Sequence, residues 1–309
     1  MKVGSLVKIA YKSILKNRLR SFLTMLGIII GVASVIALIA IGEGAQGSIQ
    51  GQIASLGTNM LMIMPSHAQS RGVSQGASSR YTISLADIEQ LERESTQLLY
   101  ISPMIRARDQ VISDKGNWNT SIAGVDQEYL GIRDWTLESG SMFTDRDIRS
   151  RRKVAILGKT VVDELFGETS PIGARIRIRN VPFTVIGVLE AKGQSAMGSD
   201  SDDTILAPYS TVMYRLGDGE TIHMIYASAR SEDTIDQAEK EITAILRNSH
   251  RLREGDDDDF FIRSQTELTQ IATDVTGTFT TLLAAIAGVS LVVGGIGIMN
   301  IMLVSVTER

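Results

Sequence analysis

Two long apolar stretches bracket this chain. Phe22 to Gly42 reads FLTMLGIIIGVASVIALIAIG and Phe279 to Val306 reads FTTLLAAIAGVSLVVGGIGIMNIMLVSV, and neither contains a charged residue. About 20 apolar residues in a helix cross the hydrocarbon core, so both qualify as transmembrane helices. Between them the pattern changes to short strands and amphipathic helices. Asn59–Pro65 predicts a strand, Ser84 caps a helix over 85–95, and Tyr100–Ser113 returns as extended chain. Thr221–Ala229, Thr234–His250 and Phe260–Arg263 repeat the order strand, helix, strand beside the second span. The stretch between these two units is richer in strands, with candidates at Trp118–Val125, Lys153–Leu157, Arg175–Arg179 and Val181–Leu189 and turns at Gly140, Gly173 and Gly193. It reads as a second subdomain inserted into the first.

Each span has an outer extension. Ala45, Ile49, Ile53 and Leu56 recur at helical spacing and stop at Gly57, a natural C-cap. Ser264-Gln265-Thr266-Glu267 forms a capping-box pattern. Leu268, Ala272, Val275, Phe279, Leu282 and Ile286 follow at intervals of three and four, the spacing of a packed seam. The expectation is a stalk in which this stripe faces Ile49, Ile53 and Leu56. Within the spans, Gly27 with Gly31, and Ala284, Gly288 and Gly295, give small-residue faces that allow close helix packing.

The predicted organisation is a cytoplasmic basic amphipathic helix (1–21), transmembrane helix (22–42), stalk helix (43–57), first half of the outer subdomain (58–114), insertion (115–219), second half (220–263), stalk helix (264–278), transmembrane helix (279–306) and a cytoplasmic remainder (307–309). The fold class is α+β on two membrane helices. Lys2, Lys8, Lys12, Lys16, Arg18 and Arg20 precede the first span without an acidic residue, which puts the N-terminus in the cytoplasm and residues 43–274 outside. A cleaved signal peptide is the competing reading, but the apolar run exceeds its usual length of about 7–15 residues.

Composition narrows the function. A net charge of −4 is too mild for a nucleic-acid binder, and with no Cys there are no disulfides or thiolate sites. Leu157-Gly158-Lys159-Thr160 resembles the end of a phosphate-binding loop, but that loop needs a glycine where Lys153 stands. A strand end leading into helix 161–166 is the expectation. His67, His223 and His250 stand apart in sequence without metal-ligand or triad company, and Asp256–Asp259 reads as a solvated turn rather than a cation site. No catalytic, cofactor or metal residue is assigned. A motif-poor domain between two spans points to mechanics or binding, with a two-span extracytoplasmic sensor as the competing class.

The segments Arg18-Leu19-Arg20-Ser21-Phe22-Leu23-Thr24-Met25-Leu26-Gly27-Ile28-Ile29-Ile30-Gly31-Val32, Leu56-Gly57-Thr58-Asn59, and Gly294-Gly295-Ile296-Gly297-Ile298-Met299-Asn300-Ile301-Met302-Leu303-Val304-Ser305-Val306-Thr307-Glu308-Arg309 resemble the MacB/FtsX-type permeases of ABC transporters. The resemblance implies a porter-like subdomain of βαβ units carrying an inserted strand-rich, sabre-like subdomain. It also implies a dimeric inner-membrane permease with Thr307, Glu308 and Arg309 opening the segment that couples to the ATPase. ATP and Mg are then handled by a separate ATPase chain, and the cargo is antibiotics or peptides, handed to a membrane-fusion adaptor and in some envelopes an outer-membrane duct. Other branches of the family release lipoproteins or activate cell-wall hydrolases. The family has four spans, so the chain is expected to be a fragment that stops just after the second.

Overall fold

A computed structural model describes residues 18–54, 57, 59–66, 69–70, 73–74, 83–194 and 200–307. The predictions for residues 1–17, Leu56, Glu308 and Arg309 lie outside them. The elements in order are α1 (Arg18–Ala54), β1 (Met60–Pro65), β2 (Gln69–Ser70), β3 (Val73–Ser74), α2 (Leu85–Glu94), β4 (Leu98–Ile112), β5 (Asn117–Val125), α3 (Tyr129–Ile132), β6 (Leu137–Gly140), α4 (Asp145–Arg149) and β7 (Val154–Leu157). Then come α5 (Lys159–Phe166), β8 (Arg175–Ile178), β9 (Val181–Leu189), β10 (Thr204–Pro208), α6 (Tyr209–Arg215), β11 (Met224–Ala229), α7 (Ile235–Ser249), β12 (Phe260–Ser264) and α8 (Gln265–Thr307).

The chain forms two compact units, residues 1–50 with 270–309 and residues 51–269. Ile29–Gly47 of α1, in the first, and the Gln265–Gly297 stretch of α8, which starts in the second and continues into the first, are long and apolar enough to span a membrane. The helices run unbroken for 37 and 43 residues, about 55 and 65 Å at 1.5 Å per residue, well beyond the roughly 30 Å of a hydrocarbon core.

The second unit is a mixed α/β domain. Its strand order begins β12-β1-β11-β4, with every neighbour antiparallel. With α2 joining β1 to β4 and α7 joining β11 to β12, this is a split pair of βαβ units. The alternation of β1 explains its two-sided burial. Leu61 and Ile63 face a core shared with Ile88 and Leu91 of α2 and Ile242 and Ile245 of α7. Met60 faces a second core with Ile132, Trp135 and Tyr226. Asp87 and Ser84 start α2 as the capping pattern predicts, with the Ser84 N and Oγ both donating to Asp87 Oδ2 at 2.8 Å.

β4 is a single strand of 15 residues. Its first half pairs with β11 and its second half with β5, where Ile105 meets Gly124 and Ile112 meets Asn117. From β5 the sheet continues through β10, β7 and β9 to β6. β8 pairs with both β9 and the end of β4, so β4, β5, β10, β7, β9 and β8 close into a ring. The turn between β8 and β9 is made by Arg179 and Asn180, both at positive φ (47° and 65°), the conformation of a tight hairpin turn whose twist matches the strands. Four short helices, α3 to α6, accompany these strands. Only α5 was foreseen, because a helix of four to seven residues offers too little periodicity to read.

Candidate functional site

The candidate site is built from the roots of the two long helices and the joints between the halves of the domain. The helices join adjacent strands: β1 begins just after α1, α8 follows β12 directly, and Leu61 is paired with Ser264. Glu267 N donates to Ser264 Oγ at 3.0 Å, the cap predicted for α8.

Gly57, between α1 and β1, sits at φ +119°, and a Cβ there would lie 2.0 Å from the Ile132 carbonyl oxygen and 3.2 Å from Arg133 Cα. Gly57, three residues past the end of α1, is therefore pressed against the end of α3. That corner is held in turn by the end of β9. Trp135 Nε1 donates to Glu190 O at 2.8 Å, and Lys192 Nζ to Arg133 O at 2.7 Å. Arg133 Nη1 reaches Met60 Sδ at 4.0 Å, tying the corner back to β1. Burial, then the Arg133 charge, lowers the pKa of Lys192.

α2 and α7 are locked together at both ends. At one end, His250 lies between two carboxylates, with Nδ1 2.7 Å from Asp259 Oδ1 and Nε2 3.3 Å from Asp87 Oδ2. Ser249 Oγ also donates to Asp87. The Asp87 hydrogen bond, opposed by burial and reinforced by Asp259, raises His250 to about 9, so it is a cation at neutral pH. Burial alone would push Asp87 up; the hydrogen bonds from His250, Ser249 and Ser84 outweigh it and hold the carboxyl far below the usual range. At the other end, Glu241 of α7 accepts from Thr96 N, Gln97 N and the hydroxyls of Ser95 and Thr96, all at 2.8–3.0 Å.

Two expectations are corrected here. His250 has carboxylate company, brought from positions 87 and 259 by the packing of α2 on α7. The Asp256–Asp259 run is solvated only in part, since Asp258 pairs with Arg247 and Asp259 is buried against His250. The Gly158-Lys159-Thr160 stretch is the expected strand end and helix start. Its Gly158 is closed on by the Asp202 carbonyl, which a Cβ would approach to 2.1 Å, and Lys159 pairs with Asp163 at 2.9 Å.

The predicted helix seam also moves. Val275 and Phe279 are 50% and 61% exposed, and Leu282 and Ile286 are exposed beside them, while Leu268 and Ile49 are half-buried. Ile53 and Ala272 are helical. The face of α8 that meets α1 carries threonines: Thr276 and Ala287 are buried, and a Cβ on Gly42 would stand 2.9 Å from Thr280 Oγ1. The apolar count missed this face because threonine counts as polar. In the helix its hydroxyl is satisfied by the carbonyl one turn back, as Thr280 Oγ1 donates to Thr276 O at 2.9 Å, so the oxygen lies against Gly42 with its hydrogen bond already made. Gly27, Gly31, Ala284, Gly288, Gly295 and Thr307 are helical; Ala284, Gly288 and Gly295 are exposed within this chain.

Residues 21–245 match the model of the MacB-like periplasmic core domain. The chain is 39% identical to the macrolide export ATP-binding/permease protein MacB of Syntrophobacter fumaroxidans over 97% of this chain and 50% of that protein. It is 42% identical to the protein of the same description in Chlorobium luteolum, over 98% of this chain and 45% of that one. The chain thus spans about half the length of the curated relatives it matches. Its fold resembles the periplasmic region of MacB from Actinobacillus actinomycetemcomitans, with a TM-score of 0.58, 22% identity, and coverage of 71% of this chain and 94% of that one. It also resembles the extracellular domain of the noncanonic ABC-type transporter YknZ from Gram-positive bacteria, with a TM-score of 0.55, 18% identity, and coverage of 66% and 100%.

Proposed function

Since the chain belongs to the MacB-like family of ABC-transporter permeases, we propose that it converts ATP hydrolysis elsewhere in the assembly into movement of its extracytoplasmic domain, driving export. It is a membrane protein with an extracytoplasmic domain, and the N-terminus lies in the cytoplasm. The β1–α2–β4 and β11–α7–β12 units serve as the porter-like subdomain, and the ring that β5, β10, β7, β9 and β8 close with the end of β4 as the sabre-like one. The ATPase, with its ATP and Mg, acts from a separate chain, contacting the segment that opens at Thr307, Glu308 and Arg309. A second permease copy, a membrane-fusion adaptor and an outer-membrane duct complete the machine, and macrolide-like antibiotics or peptides are its cargo.

The observation that carries this reading is the continuity of the helices. α1 and α8 keep their hydrogen-bond ladders for far more than a membrane's thickness and end on adjacent strands of one sheet. A helix transmits force only while that ladder is intact. Proline inside α8 removes one bond and clashes with the preceding turn, at a cost of about 3 kcal/mol or more. In a complete transporter reconstituted with its ATPase, Ala272→Pro is expected to abolish export while membrane insertion and ATP binding persist. Unaltered export by this variant refutes the lever. Absence of export by the natural assembly, together with loss of cell-wall hydrolase activation in this variant, would instead favour signal transmission of the FtsX type.

A further inference from the structure

We propose that the outer wall of the six-stranded ring is a docking surface for an extended phosphate-bearing polymer. Alternation along β4 turns Arg106, Arg108, Gln110 and Ile112 outward, and alternation along β8 turns Arg175 and Arg177 outward. The two strands are joined by the pairing of Ile112 with Arg177, and the antiparallel register carries Arg175 one step further toward the β4–β5 turn. The four arginines therefore follow one line across the wall, with outward positions on a strand about 6.8 Å apart. Asn117 and Asn119 of β5 stand on one side of the line, and Pro182 and Thr184 of β9 on the other.

No outward strand position of this wall holds an acidic residue, although the chain as a whole carries a net charge of −4; the exposed Asp114 of the β4–β5 turn, at the Arg175 end of the line, forms no ion pair among the described residues. The nearby carboxylate of Asp109 is taken by Arg179 at 2.7 Å. Arg108 Nε donates to the neutral Asn119 Oδ1 at 3.1 Å, and among the described residues Arg106, Arg175 and Arg177 form no ion pair. The residues of 51–269 outside the described set contain no Asp or Glu, so this chain has no further counter-charge to bring from them.

A guanidinium offers a planar fork of donors that fits phosphate oxygens two at a time. The wall presents no aromatic side chain outward and one large apolar residue, Ile112. That composition is unlike the aromatic-rich core of a protein interface, and it suits a polyanion held through phosphate contacts and counterion release. The wall also lies far from the helix roots. β4 starts at Leu98, beside Ala229 at the root end of the sheet, and runs 15 residues, roughly 50 Å, to Ile112.

The test uses the full chain in detergent with labelled inorganic polyphosphate, in a background where Lys2, Lys8, Lys12 and Lys16 are glutamine so that the basic N-terminus does not compete. Binding is expected to weaken steeply with salt. Arg175→Glu with Arg177→Glu should weaken it at least about tenfold at fixed salt and lower the slope of log K against log salt by about 2. Arg175→Gln with Arg177→Gln should give a smaller loss of the same kind, which separates charge from misfolding, and Arg93→Glu with Lys240→Glu on the helices should change affinity less than twofold. The proposal is overturned if polyphosphate does not bind, or if both charge-reversal pairs weaken it alike. Preferential binding of poly-glutamate, or of anionic vesicles that polyphosphate does not displace, also overturns it in favour of an acidic protein segment or a lipid surface.

Discussion

Gly57→Val is expected to destabilise the extracytoplasmic unit by roughly 2–6 kcal/mol and to uncouple it from α1. Two costs add at this position. A β-branched residue at φ +119° is strained by about 1–3 kcal/mol. Its Cβ would also stand 2.0 Å from the Ile132 carbonyl, so the α3 corner must move, and overpacking of this kind costs about 1–3 kcal/mol more. The corner cannot retreat freely, because Glu190 and Lys192 at the end of β9 and Met60 at the start of β1 all hold it. Gly167→Ala is the internal comparison. That glycine is at φ +60° and ψ −125° with open space around it, so only the backbone penalty of about 1–3 kcal/mol applies. Urea unfolding followed by tryptophan fluorescence suits the experiment, since the chain's two tryptophans, Trp118 and Trp135, both lie in this unit. Equal losses from the two variants would show that contact with α3 does not matter. In the assembled transporter, Gly57→Val should keep ATP binding and lose export.

His250→Ala is expected to cost about 3–5 kcal/mol, because it leaves Asp87 and Asp259 buried without their cation. The same cluster sets a pH dependence whose sign follows from its shifts. His250 is raised to about 9 from 6.5, so its contribution is complete below about 6.5 and fades as pH climbs through 9. Asp87 is lowered from 3.8, so its contribution is complete above that value and fades only as pH falls well below it. Stability from the cluster is thus greatest between about pH 4 and 6.5. Unfolding midpoints between pH 6 and 10 should decline in the natural chain and decline much less in His250→Ala. Parallel pH profiles for the two would remove His250 from the account. Asp257→Ala, one residue run away on the exposed side of the same turn, should be neutral within about 0.5 kcal/mol.

The local pattern carried much of this architecture. β1, α2, α7 and β12 lie within a residue or two of where alternation, capping and apolar spacing put them, and so do β5, β7, β8 and β9. Such elements are legible because each buries one face along several turns or pleats. β6, β10, α3, α4 and α6 were missed for the opposite reason. They are short, and what stabilises them is the sheet and core they close over, not a period of their own.

By itself the sequence determined that the chain has two long apolar helices, two strand–helix–strand units and a strand-rich stretch between them, because these depend on which side of each element is apolar, a property written in neighbouring residues. It also determined the family, through motifs at the helix ends. Only the tertiary structure decided which residues face each other. It placed Thr276, Thr280 and Gly42 in the helix contact in place of the more apolar stripe, gathered Asp87, His250 and Asp259, set Gly57 on Ile132, and lined four arginines along one wall by registering β8 against β4. The physical reason is common to all of them. Partner choice depends on register, close approach and the desolvation of paired charges, and these join residues up to 172 positions apart that no local pattern connects, as Asp87 and Asp259 show.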